Sequence, residues 1–171
     1  MLVYFIVVLA AVSRFIPHMS NAAPITALAI FAAAHMTKKE ALGVTLAARF
    51  VSDIFLGFFA WPLMVAVYIS HAAGIVFGSW IKNSQSASRR WMKIGVSGAV
   101  SSLLFFLVTN FAFLYSTYPH TWAGIAAAYA NGLPFLRGTV AGDVGYTLAF
   151  FGLYEVAAIL MRHRKKTLIA V

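Results

Sequence analysis

The residues able to do chemistry in this sequence are few, and they gather at the ends of apolar runs. Arg14 and His18 close the first run, Asn21 and Pro24 open the second, and Ser52 and Asp53 fall near the end of the third. Thr109 and Asn110 precede the end of the fifth by a turn, while Arg137 and Asp143 flank the start of the last. Arg49 precedes Asp53 by one helical turn, so the two share a helix face. Such a pair is either a structural ion pair or part of an anion site. In the second case Arg49 or Arg14 holds a carboxylate or phosphate, and Asp53 and Asp143 fix the arginines or accept hydrogen bonds from the ligand. Arg14, Arg49 and Arg137 set against Asp53 and Asp143 leave one excess positive charge, which favours an anionic ligand. His71, midway along the fourth run, is either a neutral imidazole bonded to a neighbouring helix or a proton relay. Glu155 suits a pair with a basic residue and has no ligand role.

The elements that position these groups follow from composition. Of 171 residues, 62% are hydrophobic and 10% charged, a balance no soluble globule of this size can hide, whereas a bundle facing lipid tails has no need to. At roughly 20 residues per span, the chain holds about six helices and no separate soluble domain. The fold expected is all-α: a polytopic membrane protein, one transmembrane domain over 1–171 with six transmembrane helices. Basic residues outside the spans cluster at Lys38-Lys39, at Lys82 through Arg89, Arg90 and Lys93, and at Arg162, Arg164, Lys165 and Lys166. Retaining all three clusters inside orients the chain with both termini cytoplasmic. The helices fall at about 2–17, 23–37, 41–57, 62–81, 94–114 and 139–161, with a long outer segment, 115–138, before the last. The first helix lacks a basic n-region and is interrupted by Arg14, so it reads as a span rather than a signal peptide. The basic residues lie at membrane boundaries with no fold to present them to nucleic acid.

Small residues recur every fourth position, as in Ala23/Ala27, Ala29/Ala33, Ser70/Gly74/Gly78, Gly95/Ala99 and Gly138/Gly142. In lipid such stripes permit close helix approach, either within the bundle or, for the alanine face of the second helix, against a separate membrane protein. The outer segment carries Tyr115, Tyr118, Pro119, His120 and Trp122, then an alanine-rich stretch ending in Asn131-Gly132-Leu133-Pro134-Phe135. It is either a plain interfacial helix or a lid over a site, with Pro134 and Gly138 ending it sharply before the last span. Tyr129 and Asn131 are its groups best placed to touch a ligand. No zinc-protease, serine-nucleophile or Walker pattern is present. The scattered histidines and carboxylates suggest no metal, and the absence of cysteine excludes thiolate chemistry. The chain therefore reads as neither an enzyme nor a cofactor binder, and any ATP-driven work falls to a partner.

Three segments, Arg14-Phe15-Ile16-Pro17-His18 with Asn21 and Pro24, Arg49-x-x-Ser52-Asp53-x-x-x-Gly57, and Leu103 through Phe111, resemble motifs of an uncharacterised family of small bacterial integral membrane proteins. Tyr118-Pro119-x-Thr121-x-x-Gly124 and Leu133-Pro134-Phe135 through Gly142-Asp143 continue the likeness over nearly the whole chain. That family is similar in size and layout to the substrate-binding S components of energy-coupling factor transporters. The resemblance implies a multi-pass protein of the bacterial inner membrane that captures a vitamin or cofactor precursor, cobalamin among the candidates, in an outward-facing pocket. A transmembrane coupling protein and ATPase subunits would then drive release inward. S components usually carry an Ala-x-x-x-Ala face on helix 1 for the coupling subunit. Here Arg14 and Phe15 follow Ala10 and Ala11 by four residues, and that motif is absent. The alternative is a structural membrane protein of a cell-envelope assembly, without transport activity.

Overall fold

The computed structural model describes residues 1–15 and 24–169. It contains α1 (Leu2–Ser13), α2 (Ile25–His35), α3 (Lys38–Leu56), α4 (Trp61–Lys82), α5 (Ala87–Thr109) and α6 (Trp122–Ile169), with a short 3-10 turn at Ala112–Leu114. No strand occurs among the described residues.

The count of six membrane-length helices needs correction. Among the described residues, three segments are long and apolar enough to cross a bilayer: Trp61–Lys82, Ala87–Thr109 and Trp122–His163. α3 has 19 residues, but Lys38, Lys39, Glu40, Arg49 and Asp53 make it amphipathic. α1 and α2, with 12 and 11 residues, are too short to cross alone. At 1.5 Å per residue α2 is about 16 Å long, roughly half of the hydrocarbon thickness.

α2 is the centre of the bundle. Every residue from Ile25 to Ala34 is buried, as expected of a helix that is apolar all round. Its alanines let α4 approach closely. A Cβ on Gly78 would strike the Ile30 carbonyl and come within 2.7 Å of the Ala33 Cβ. Of the two readings of the alanine face, packing within the bundle or docking of a separate protein, the structure shows the first at Ala33, which meets the chain's own fourth helix. Gly98 plays the same part between α5 and α6, where a Cβ would lie 2.9 Å from the Val144 Cα.

Charged residues mark one end of the bundle. Lys82 Nζ donates to the Met36 carbonyl at 3.4 Å, and Lys93 Nζ to the Trp80 carbonyl at 3.0 Å. Arg90 pairs with Glu155 at 3.1 Å and reaches His35 at 3.4 Å, so Glu155 does meet a basic partner. At this end α3 begins with a capping box, in which Thr37 N–H donates to Glu40 Oε2 at 2.9 Å and Glu40 N–H to Thr37 Oγ1 at 3.3 Å. At the other end α3 stops at Gly57, whose φ of 97° favours glycine.

The sharp break expected at Pro134 and Gly138 does not occur. α6 runs uninterrupted for 48 residues with Pro134 inside it, so the outer segment from Trp122 onward is its first part. The physical reason is packing along α5. Tyr129 donates to the Leu107 carbonyl at 2.7 Å, its ring meets Phe106, and Gly132 lies directly against the Asn110 side chain. Beyond the proline, Ser102 meets the Thr139 carbonyl and Asp143, and contacts on both sides of Pro134 keep it in one helix despite the lost backbone bond.

The side-chain distribution is that of a protein in lipid. Ile69, Val76, Leu103, Leu107, Val156 and Ile159 are exposed, while Arg14, Arg49, Asp53, His71, Ser102 and Asp143 are buried. Hydrocarbon outside and ionisable groups inside is the arrangement a bilayer selects.

Candidate functional site

Asp53 is the hub of the site. It sits one turn after Arg49 on α3, and Arg14 follows the end of α1. Arg14 Nη2 donates to Asp53 Oδ1 at 2.8 Å, and Arg49 Nε donates to Oδ2 at 2.8 Å. From α4, the Tyr68 hydroxyl donates to Oδ2 at 2.9 Å. Asp53 is 1% exposed, so one buried carboxylate serves two guanidinium groups. The cluster holds one positive charge in excess, and Arg14 Nη1 is buried with no hydrogen-bond partner among the described residues. Arg49 also lies over the rings of Phe59 and Tyr68, each 5.7 Å from its guanidinium carbon, a contact that favours a partly desolvated cation.

Arg49 faces a cavity of about 600 Å³. Among the described residues it is the one charged group in the lining. Phe59, Phe105, Phe135, Tyr115 and Tyr118 supply aromatic surface, and Thr109, Asn110, Asn131 and Thr139 supply hydroxyl and amide groups. Tyr115 donates to the Thr109 carbonyl at 2.6 Å, and burial pushes its phenol above the ordinary range, which keeps it a donor. Asn131 Nδ2 donates to the Tyr118 hydroxyl at 3.1 Å, tying the start of α6 to the preceding loop at the cavity wall. The outer segment therefore walls the cavity. A cation backed by its own carboxylate, aromatic walls and a few amides can hold a flat molecule bearing a carboxylate or phosphate.

Below this cavity lies a second polar group. Thr139 lines the cavity, and Asp143, one turn further along α6, is 2% exposed. Ser102 Oγ lies 2.9 Å from Asp143 Oδ2, and Thr26 is a further hydrogen-bonding neighbour of that carboxyl. Thr26 Oγ1 in turn lies 3.0 Å from His71 Nδ1. His71 is thus an imidazole bonded to a neighbouring helix, with its ring 5.2 Å from that of Phe105.

Of the residues singled out in the sequence, Arg14, Arg49 and Asp53 come together, and Asn110 and Asn131 line the cavity beside Arg49. Asp143 lies beneath the cavity instead of in its lining. Tyr129 is turned away, its hydroxyl committed to the Leu107 carbonyl. Arg137 is displaced from the site altogether. It is exposed on another face of α6, beside Leu133, Val140 and Ala141. His18 and Asn21 lie outside the described residues. Sequence reasoning missed Tyr68 and the aromatic walls. Tyr68 is one turn before His71 on α4, and a polar-tipped ring on the face of an intramembrane histidine was a usable signal. No three His, Asp or Glu side chains converge on a metal-binding cluster among the described residues.

An all-helical membrane protein with its polar groups turned toward an interior cavity is the class these features define. The chain belongs to a family described as a family of unknown function, DUF6580, whose model matches residues 1–167. No curated protein and no solved structure matches it.

Proposed function

We propose that this protein is a membrane-embedded binding component for a small anionic, ring-bearing solute, a vitamin or cofactor precursor by class. The observation that carries the reading is Arg49, the one charge that the described residues bring to an aromatic cavity of about 600 Å³, held in place by a carboxylate it shares with Arg14. Arg49 uses Nε for Asp53, which leaves its terminal nitrogens for a ligand. The basic residues Lys82, Arg90 and Lys93 lie at the opposite end of the bundle from the cavity. Retaining them inside opens the cavity to the outer face of a bacterial cytoplasmic membrane, with both chain termini inside. The chain has no nucleotide-binding loop, so inward delivery falls to a separate ATPase module acting through a coupling protein.

Thermal unfolding of the purified protein against a panel of vitamins and their precursors tests the proposal. A ligand at about 100 times its Kd stabilises the folded state by roughly 2.7 kcal/mol, and Arg49→Ala should abolish that gain. If no member stabilises the protein and Arg49→Ala leaves uptake in a complemented auxotroph unchanged, the binding reading fails and a structural role in the envelope takes its place.

A further inference from the structure

Asp143 is the carboxylate the anion site leaves unused. Among the described residues it has no ion-pair partner, and its neighbours are the hydroxyls of Ser102 and Thr26. The hydrogen-bond arithmetic around Ser102 bears on its state. Ser102 Oγ lies 2.9 Å from the Gly98 carbonyl, 3.3 Å from the Thr139 carbonyl and 2.9 Å from Asp143 Oδ2. A hydroxyl has one proton and accepts twice. With Asp143 ionised, all three neighbours are acceptors competing for that single proton. With Asp143 protonated, its O–H donates to Ser102 Oγ, and Ser102 donates to the Gly98 carbonyl. The protonated arrangement gives Ser102 one accepted and one donated hydrogen bond in place of three competing acceptors, and it places no uncompensated charge in the bundle interior.

On its other side the carboxyl meets a relay. Thr26 stands between Asp143 and His71, and His71 Nε2 is buried without a hydrogen-bond partner among the described residues. We propose that Asp143 holds an exchangeable proton inside the bundle and passes it through Thr26 to His71, giving the protein a proton-binding site directly beneath the anion cavity. In the transfer, the acid proton turns from Ser102 to Thr26, and the Asp143 O–H bond breaks as an O–H bond forms on Thr26. The original Thr26 O–H bond breaks as an N–H bond forms at His71 Nδ1. The neutral acid and neutral imidazole become carboxylate and imidazolium, with no atom gained or lost. The relay ends at His71; Val67, one turn earlier on α4, lines the cavity. Facing groups are Ser102 on α5, Thr26 on α2, and the charges of Arg49 on α3 and Arg14 beyond α1, which oppose the imidazolium and favour its return to the neutral form.

The sequence makes the site directly observable, because Asp53 and Asp143 are its only aspartates. The full chain, labelled with carbon-13 at the aspartate side-chain carboxyl and placed in lipid bilayers, gives one signal from each. The expected result at neutral pH is one signal at the carboxylate position and one at the carboxylic-acid position. The acid signal should be lost in Asp143→Asn, or in Asp143→Glu should the asparagine variant not fold, and should move to the carboxylate position in alkali. His71→Gln should shift its midpoint by about one pH unit or more, the mark of coupled groups. Two carboxylate signals at neutral pH, or a midpoint unmoved in His71→Gln, overturns the proposal. The measurement needs no solute, so it stands apart from the identity of whatever fills the cavity.

Discussion

Asp53→Asn is the substitution that most directly tests the charge cluster. The amide keeps the shape of the carboxyl and still accepts from Tyr68, but it leaves Arg14 and Arg49 facing each other with no negative charge between them. Arg14 is 8% exposed and already has one unsatisfied nitrogen, so its side chain has little room to reach water. Removing one partner of a buried pair typically costs about 3–5 kcal/mol, and here the removed group served two cations. A loss at the upper part of that range is expected. Arg14→Met behaves oppositely. It leaves Arg49 and Asp53 as a neutral pair, removes the excess charge and keeps the apolar volume, so its cost should stay below about 1–2 kcal/mol. The assay is reversible unfolding of both variants in mixed micelles, followed by fluorescence of the tryptophans, of which the chain has four. Equal destabilisation by the two substitutions would refute the shared-carboxylate account.

The helix contacts give a paired test. Gly78→Ala should destabilise by about 1–3 kcal/mol because the new methyl meets α2 backbone, whereas Gly95→Ala, with nothing within 4 Å of the added Cβ, should be close to silent in the same unfolding assay. At the cavity wall, Asn131→Leu breaks the hydrogen bond to Tyr118 and should weaken ligand binding several-fold, on the order of 1 kcal/mol, measured by calorimetry once a ligand is in hand. At the start of α3, the Thr37 hydrogen bonds hold the Glu40 carboxyl below its ordinary range. The stabilisation it contributes is present above the unfolded glutamate pKa and is lost as pH falls through the lower folded value. Amide exchange in the first turn of α3, corrected for its intrinsic pH dependence, should therefore gain protection as pH rises through that acidic interval, and Thr37→Ala should abolish the change.

Much of the site was legible because its chemistry depends on spacing within one helix. Arg49 and Asp53 share a face by periodicity alone, and the cost of an unpaired ion in lipid forecast that they would be buried and bonded. The choice of Arg14 over Arg137 as the second arginine was not legible. It depends on rotation about α6, which the packing of Gly98 against Val144 and of Gly132 against Asn110 decides. The helix ends failed for a related reason. Pro134 reads as a stop when only local backbone energetics are weighed, but the α5 surface supplies enough contact on both sides to keep the helix running. α2 reads as a short span because its apolar length says nothing of depth. Its start at the level of His71 emerges only when Gly74 and Gly78 fix how it sits against α4.

The uninterrupted α6 has a mechanical consequence. Taking its close contact with Gly98 at Val144 as a fulcrum, Thr139 in the cavity wall lies about 8 Å to one side and Ile169 about 38 Å to the other, at 1.5 Å per residue. The helix is thus geared about five to one. A tilt that carries the far tip of α6 through 5 Å moves the wall beside Arg49 by about 1 Å, the scale that separates a gripping hydrogen bond from a broken one. A weak pull on the tail arrives at the cavity as a short, forceful displacement.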